Sequence, residues 1–444
     1  MTITTTITTT PTTTPTTTPT TTPTTTPTTT LVEPTRVHGT AYTSQEVFDR
    51  EMERIFSEGW VYVAHESEIP EPGDYLTRNM GRQPVIVSRD KEGALHVLAN
   101  RCSHRGNKIC GAATGNSTSY RCPYHGWTFA NDGRLIAIPM KQGYADRHDE
   151  LRDQLALTEC SRVDSYRGFI FASFGDEGIT LLEHLGRATT AIDRLSNLSP
   201  TGEVQLTAGW MKHRQQCNWK MVMENNVDGY HALFVHQSVY EAVREAKVSH
   251  QPQKVDVVVR DMGGGHCEID YAEEYLKLDE EFVWFGRMQR AKATDYIADM
   301  EAAYGAADAH HHLVIGPPHT LIFPNLFLAE MNVMVVEPIG PGETIAYTSP
   351  ALLKGAPEMN SRILRRCEGA MGPSGFLIAD DGEIGMRNQK GLASRNPEWV
   401  QLSRGMESDL SDDAGTKNYD KTSETPQRGF WREWAVVMND GLIS

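Results

Sequence analysis

Cys102-Ser103-His104 is followed, after seventeen residues, by Cys122-Pro123-Tyr124-His125. No other feature constrains the chain as strongly. Two Cys-plus-His pairs, each on a tight loop, are what a mixed-ligand metal centre needs. The set suits a tetrahedral zinc, or a two-iron, two-sulfur cluster with thiolates on one iron and imidazoles on the other. Zinc-finger spacing leaves about two to four residues between the ligands of each pair, whereas Cys102 and His104 are separated by one. Gly106, Gly111, Gly115 and Gly126 follow the loops and let backbone N–H groups approach sulfide ions. Seven cysteines in 444 residues are too few, and odd in number, for a disulfide scaffold. A reducing cytoplasm is the expected location, and Cys110 is expected to be a buried free thiol.

The region around these loops has a β texture. Pro84–Val87, Ala94–Leu98 and Phe169–Ala172 read as short strands, with Glu71–Asp74, Asp90–Gly93 and Asn131–Gly133 as breakers. Residues 60–175 are therefore expected to be a small all-β module. Ahead of it, PTTT repeats through residue 30, and residues 1–35 are expected to be a disordered Thr/Pro-rich tail. Residues 36–59 supply a helix: Thr43-Ser44 before Gln45-Glu46 is an N-cap signal, and Val47, Phe48, Met52 and Ile55 recur at helical spacing up to about Gly59. From 176 to 444 helical patterns (to Leu195 and beyond Asn360) enclose strand-like runs at Lys254–Val259, Thr320–Phe327 and Val333–Glu337, which predicts an α+β domain. No stretch approaches the ~18 apolar residues of a membrane span. A formal charge of -16, from 58 acidic against 42 basic residues, argues against nucleic acid or an anionic membrane as the main partner.

A second constellation runs from Asn218 to His236. Apolar spacing suits a helix between Trp219 and Tyr230, on which Asp228 and His231 share a face. On a continuous helix His236 would point roughly 140° away from His231. The helix is therefore expected to end or distort before both rings converge, with Gly229 as a soft spot. Two imidazoles and a carboxylate on one face of an ion make the facial triad of mononuclear non-haem iron oxygenases. His310-His311-His312 lies in an Ala-rich, loop-like stretch, and three adjacent side chains cannot all face one ion in regular structure.

C-x-H-x17-C-x2-H with Gly126-Trp127, and E-N-x-x-D-x-Y-H-x4-H over Glu224–His236, together resemble the large subunits of Rieske non-haem iron ring-hydroxylating oxygenases. The resemblance covers roughly residues 40 to 440. It implies an α+β fold class: a small all-β Rieske domain (ISP-like) and a larger catalytic domain with an antiparallel sheet flanked by helices (helix-grip, START-like). It implies a [2Fe-2S] Rieske cluster on Cys102, His104, Cys122 and His125, and a mononuclear Fe(II) on His231, His236 and a distant carboxylate. Within Gly372–Glu383 the resemblance puts that ligand on Asp381, with Asp380 and Glu383 as competitors. It makes Asp228 a bridge, hydrogen-bonding His231 and the His125 of a neighbouring subunit, so a homotrimer or an α3β3 hexamer with small beta subunits is implied. NAD(P)H would act through a ferredoxin or flavin reductase, and an aromatic substrate would be cis-dihydroxylated. A monooxygenase or demethylase with the same centres is the alternative; an electron-transfer Rieske protein would lack the second site. Met223, Asn226, Val227, Leu233, Phe234, Phe327, Met331, Leu377 and Ile378 are candidate pocket residues. Members acting on aromatic acids often carry an Arg in the strand that here reads Asn332–Glu337; none is present, which counts against a substrate acid anchored at that place, though Arg362 or Arg387 could replace it.

Overall fold

Ser44 starts the first long helix: its hydroxyl accepts the Val47 amide, and Gln45–Arg54 follows with Val47, Phe48 and Met52 turned inward. A computed structural model of the chain describes residues 31–245, 257–276, 282–283, 288–329 and 331–440. The Thr/Pro tail up to residue 30 and the start of the strand expected from Lys254 lie outside the described residues. The helix ends at Arg54, short of Gly59, and packs on the C-terminal helix Thr425–Asp440, where Arg50 donates to the Met438 carbonyl.

The β module is built from short antiparallel sheets. Leu95–Ala99, Gln83–Arg89, Asp74–Met80 and Thr114–Asn116 form one; Leu135–Ala137, Thr128–Ala130 and Ser119–Arg121 form a second; Arg162–Tyr166, Phe169–Ser173 and Val61–His65 form a third. The first two sheets contribute to a core that holds Ile86, Leu98, Trp127 and Phe129 around Cys102 and Cys122, while the third packs into the two larger cores of the chain. One excursion is helical, His148–Gln154.

Behind it, a nine-stranded antiparallel sheet runs in the order Met211–Gln215, Glu343–Pro350, Asn332–Gly340, Leu326–Ala329, His319–Ile322, His266–Asp270, Val258–Gly263, Gly415–Asn418 and Leu410–Asp412. Fully buried Leu328 and Val333 face each other across it, and helices Trp219–Asn226, Ile378–Leu392 and Thr425–Asp440 pack against it. The stretch around His310–His312 is not a loop. It belongs to helix Ala306–Ile315, consistent with the helix propensity of its alanines. Successive side chains there fan out by about 100°.

Candidate active site and metal centres

The two Cys/His loops repeat one hydrogen-bonded turn. Cys102 N donates to Asn107 O at 2.9 Å and Cys122 N to Trp127 O at 2.7 Å, while Gly106 N and Gly126 N return to the two cysteine carbonyls at 2.9 and 3.0 Å. Each turn closes on a glycine with φ of +70° or +74°, a conformation a side chain would strain. Both thiols are buried. Burial pushes the Cys102 thiol up, and the backbone amides of His104 and Arg105 pull against it by pointing at the sulfur. His104 stacks on Trp127 with centroids 4.7 Å apart, and the His104 and His125 rings lie at 4.6 Å. His104 Nδ1 is buried without a hydrogen-bond partner, as suits a nitrogen whose partner is a metal. All seven cysteines are free, so Cys110 is a buried thiol. Among the described residues, the group whose ligand atoms lie within 4.8 Å of one another is His231, His236 and Asp381. The Cys/His quartet is not gathered to that degree, and its two-thiolate, two-imidazole donor set fits a two-iron cluster.

The second site begins on a helix whose sequence permits it to run further than it does. Asn218 caps it, its side chain accepting the Lys220 amide, but the helix is Trp219–Asn226 and stops before Asp228. Tertiary partners take its last carbonyls: His319 Nε2 pairs with Asn226 O at 2.7 Å, and Gln427 Nε2 donates to the carbonyls of Glu224 and Val227. Asp228 therefore lies in a turn rather than on a shared helix face, its Oδ1 accepting the Tyr230 amide at 2.7 Å. A β-carbon at Gly229 would run into the Lys421 carbonyl oxygen, so glycine lets the chain pass there. A second short helix, Ala232–Val235, then carries the chain to His236, which ends it.

The break brings the two rings together at 5.3 Å between centroids. Asp381, in the first turn of the Ile378–Leu392 helix, places Oδ1 3.4 Å from His231 Nε2 and 3.3 Å from His236 Nε2. Burial pushes the Asp381 carboxyl up, but the two imidazoles outweigh it and hold it at about 2. Burial likewise pushes His231 down, and Asp228 and Asp381 overturn this, raising it to about 9. Asp381 Oδ1 and the Nδ1 atoms of both rings are nevertheless buried without a well-aligned hydrogen bond. Asp381 Oδ1, approached by both Nε2 atoms yet left without a well-aligned hydrogen bond, suits a cation shared by the three groups better than a hydrogen bond to either ring. Asp380 stands aside: its side chain is 43% exposed against 12% for Asp381, and its oxygen is 3.9 Å from His236 Nδ1. Glu383 turns away to Arg387 at 2.8 Å. Asp228 Oδ2 lies 3.6 Å from His231 Nδ1, within reach of the ring face that does not meet Asp381.

A cavity of about 460 Å³ opens beside Asp381. Of the expected pocket residues it takes Asn226 and Ile378; Met223, Val227, Phe327 and Met331 are core, and Leu233 and Phe234 are exposed. Its walls include residues that the sequence reading did not assign to a pocket, Tyr42, Glu224, Gln215 and Met334 among them. A charged pair four apart, Lys220 and Glu224, flanking the apolar run Met221–Met223 was the available signal for part of this wall. Arg387 lines the cavity and Arg362 does not.

Residues 59–158 match the Rieske [2Fe-2S] domain family, and residues 204–440 match the ring hydroxylating alpha subunit (catalytic domain) family. The chain is 32% identical to toluate 1,2-dioxygenase subunit alpha of Pseudomonas putida, over 79% of this chain and 78% of that one. It is 30% identical to N,N-dimethyl phenylurea N-demethylase subunit alpha of Sphingobium sp. (strain YBL2), over 90% and 91%. The fold superposes on naphthalene 1,2-dioxygenase with indole bound in the active site, with a TM-score of 0.80, 24% identity, and coverage of 93% of this chain and 94% of the other. A Rieske domain followed by a ring-hydroxylating catalytic domain, with a His/His/Asp site in the second, makes the chain a member of the ring-hydroxylating oxygenase alpha subunits, enzymes of a [2Fe-2S] cluster and a mononuclear iron.

Proposed function

We propose that Cys102, His104, Cys122 and His125 hold the cluster, that His231, His236 and Asp381 hold the iron, and that the chain cis-dihydroxylates an aromatic acid. The observation that carries the iron assignment is the convergence of His231, His236 and Asp381 to within 4.8 Å. When bound, the iron supplies a coordination site for O2 and the cluster supplies electrons one at a time. The chain's own part is to orient these groups. Asp228, 3.6 Å from Nδ1, is placed to orient the His231 ring, and the cavity walls Met221, Val222, Met334, Ile378 and Ile384 would hold a ring away from water.

The acid is proposed on two grounds. The relative from Pseudomonas putida is named for toluate, and Arg387 is the one cation among the described residues that line the cavity; it is 69% exposed and paired with Glu383, a partner it would exchange for the substrate carboxylate. A buried carboxylate needs such a partner. Electrons are proposed to reach the chain from NAD(P)H through a ferredoxin or flavin reductase, in the cytoplasm. No helix among the described residues is long and apolar enough to cross a membrane. The assembly proposed is a trimer, or an α3β3 hexamer, in which the His125 loop of residues 60–175 docks near Asp228 in the 176–444 domain of the next copy. Exposed Tyr124 and Met140 on the first face, and Tyr230 and Phe234 on the second, are the apolar surfaces such docking would cover.

The test is turnover of neutral arenes, aromatic acids and N-methyl ureas with a surrogate reductase under 18O2. Two labelled atoms in a dihydrodiol acid are expected. One labelled atom, or loss of a methyl group, would replace this reading with the monooxygenase one.

A further inference from the structure

Arene cis-dihydroxylation adds one O2, two electrons and two protons to the ring. The reductase supplies the electrons, and the protons need a source of their own. Glu224, on the last turn of the Trp219–Asn226 helix, lines the same cavity as Asp381. Its carboxyl oxygens accept the Tyr42 hydroxyl at 2.9 and 3.2 Å. One turn earlier Lys220 is wholly buried, but its ammonium is already neutralised by Glu51 at 2.5 Å. Among the described residues Glu224 thus forms no ion pair, and Lys220 acts on it only at longer range. Asp228 and Glu424 also line the cavity, adding like charge, while Tyr42 and Trp431 approach from the N-terminal segment and the C-terminal helix. A carboxyl so placed favours its neutral form. Burial, reinforced by Asp228 and opposed by Tyr42, Trp431 and Lys220, raises Glu224 to about 7.

We propose that Glu224 is the proton donor of this cavity, delivering one of the two protons consumed per product. Its O–H bond breaks, the bonding electrons stay on the carboxylate, and the proton joins an oxygen that becomes a product hydroxyl. Water in the cavity then reprotonates the carboxylate. The two reducing electrons come from the reductase, so the step balances. A poised acid near the working pH is what general acid catalysis requires. The inference rests on the dihydroxylation reading above.

Glu224→Gln keeps the shape and an acceptor for Tyr42 while removing the acid. Infrared difference spectra of the metal-free protein are expected to show protonated-carboxyl absorption that titrates near neutral pH, with Glu268 contributing beside Glu224, and one component of it is missing in Glu224→Gln. In the loaded enzyme with its reductase, Glu224→Gln should keep both metal contents and the Rieske spectrum. Its product formation should fall at least tenfold, with reductant diverted to hydrogen peroxide. The wild-type decline in rate above neutral pH should vanish with the acid, and Glu224→Asp should restore it in part. Glu224→Gln spectra that lose no component of the protonated-carboxyl absorption overturn the proposal. So does a Glu224→Gln enzyme within twofold of wild type with an unchanged pH profile. Failure of the wild type to make any dihydrodiol would sink the dihydroxylation reading and the donor with it, while leaving the infrared titration intact.

Discussion

Lys220→Met removes the cation from a site that has no exposure to water. The Lys220 ammonium and the Glu51 carboxylate meet at 2.5 Å, both side chains 0% exposed. The indole N–H groups of Trp219 and Trp434 donate to the same carboxylate at 2.9 and 2.8 Å, and the ammonium sits 5.2–5.8 Å from the rings of Tyr42, Trp219, Trp431 and Trp434. Removing one partner of a buried pair costs about 3–5 kcal/mol, because the survivor is left charged and unpaired. The two indole donors that stay on Glu51 argue for the lower half of that range, about 3–4 kcal/mol. For a domain of this size about 1 kcal/mol moves Tm by roughly 2–4 °C, so a fall of roughly 6–16 °C is expected. Urea unfolding followed by tryptophan fluorescence reads the change directly, since Trp219, Trp431 and Trp434 surround the pair. Glu51→Leu alone should lose a similar amount, and Glu51→Leu with Lys220→Met should recover at least half, the signature of coupling rather than of two separate packing losses. Single variants within about 1 kcal/mol of wild type, or a double variant that loses the sum, would refute the argument. The pair ties the N-terminal helix to the helix that leads into His231, so the singles should also bind iron more weakly.

Other expectations follow from the two centres. His231→Ala should lose the mononuclear iron and all product while keeping the visible Rieske spectrum; turnover in that variant would remove the iron assignment. Asp228→Asn should retain both metals but slow reoxidation of the reduced cluster by O2 with substrate, and rapid reoxidation would contradict a bridge. In the metal-free protein His231 is raised to about 9, so ferrous ion must displace its proton, and affinity should rise by about tenfold per pH unit up to that value. Calorimetry in buffers of different ionisation heat would detect the released proton, and affinity flat between pH 6.5 and 8.5 would contradict it. The same pair sets a stability window for the metal-free chain. The His231 contribution is complete below its ordinary 6.5 and lost as pH rises through about 9, while that of Asp381 is complete above 3.8 and lost as pH falls through about 2.

Much of the site was legible because ligand chemistry is local. The Cys102–His104 and Cys122–His125 pairs each fit on one turn, so spacing alone reported them. His231 and His236 carried a weaker signal, and the expectation that the helix must break between them was sound because two rings on a continuous helix would point apart. Where it breaks was not legible. His319 and Gln427, far along the chain, take the carbonyls that end the helix at Asn226. The pocket was the least legible part: Met223 and Val227 have the composition of pocket residues and the position of core.

Residue type and short spacing picked out the candidate donors, two thiolates and two imidazoles in one module and two imidazoles in the other, because both patterns are local; the distant acid came from the family resemblance. The sequence by itself also determined the two-part α+β organisation. Residue chemistry left Asp380 and Asp381 open and only the resemblance chose between them; long-range packing turns Asp381 to the histidines, takes Asp228 off the helix, and joins Tyr42, Glu51, Lys220 and Glu224 in one buried network. Each of those choices turns on the direction of a side chain across contacts more than a hundred residues apart, or on which neighbour of a pair a distant helix turns inward, and no local pattern encodes such a direction.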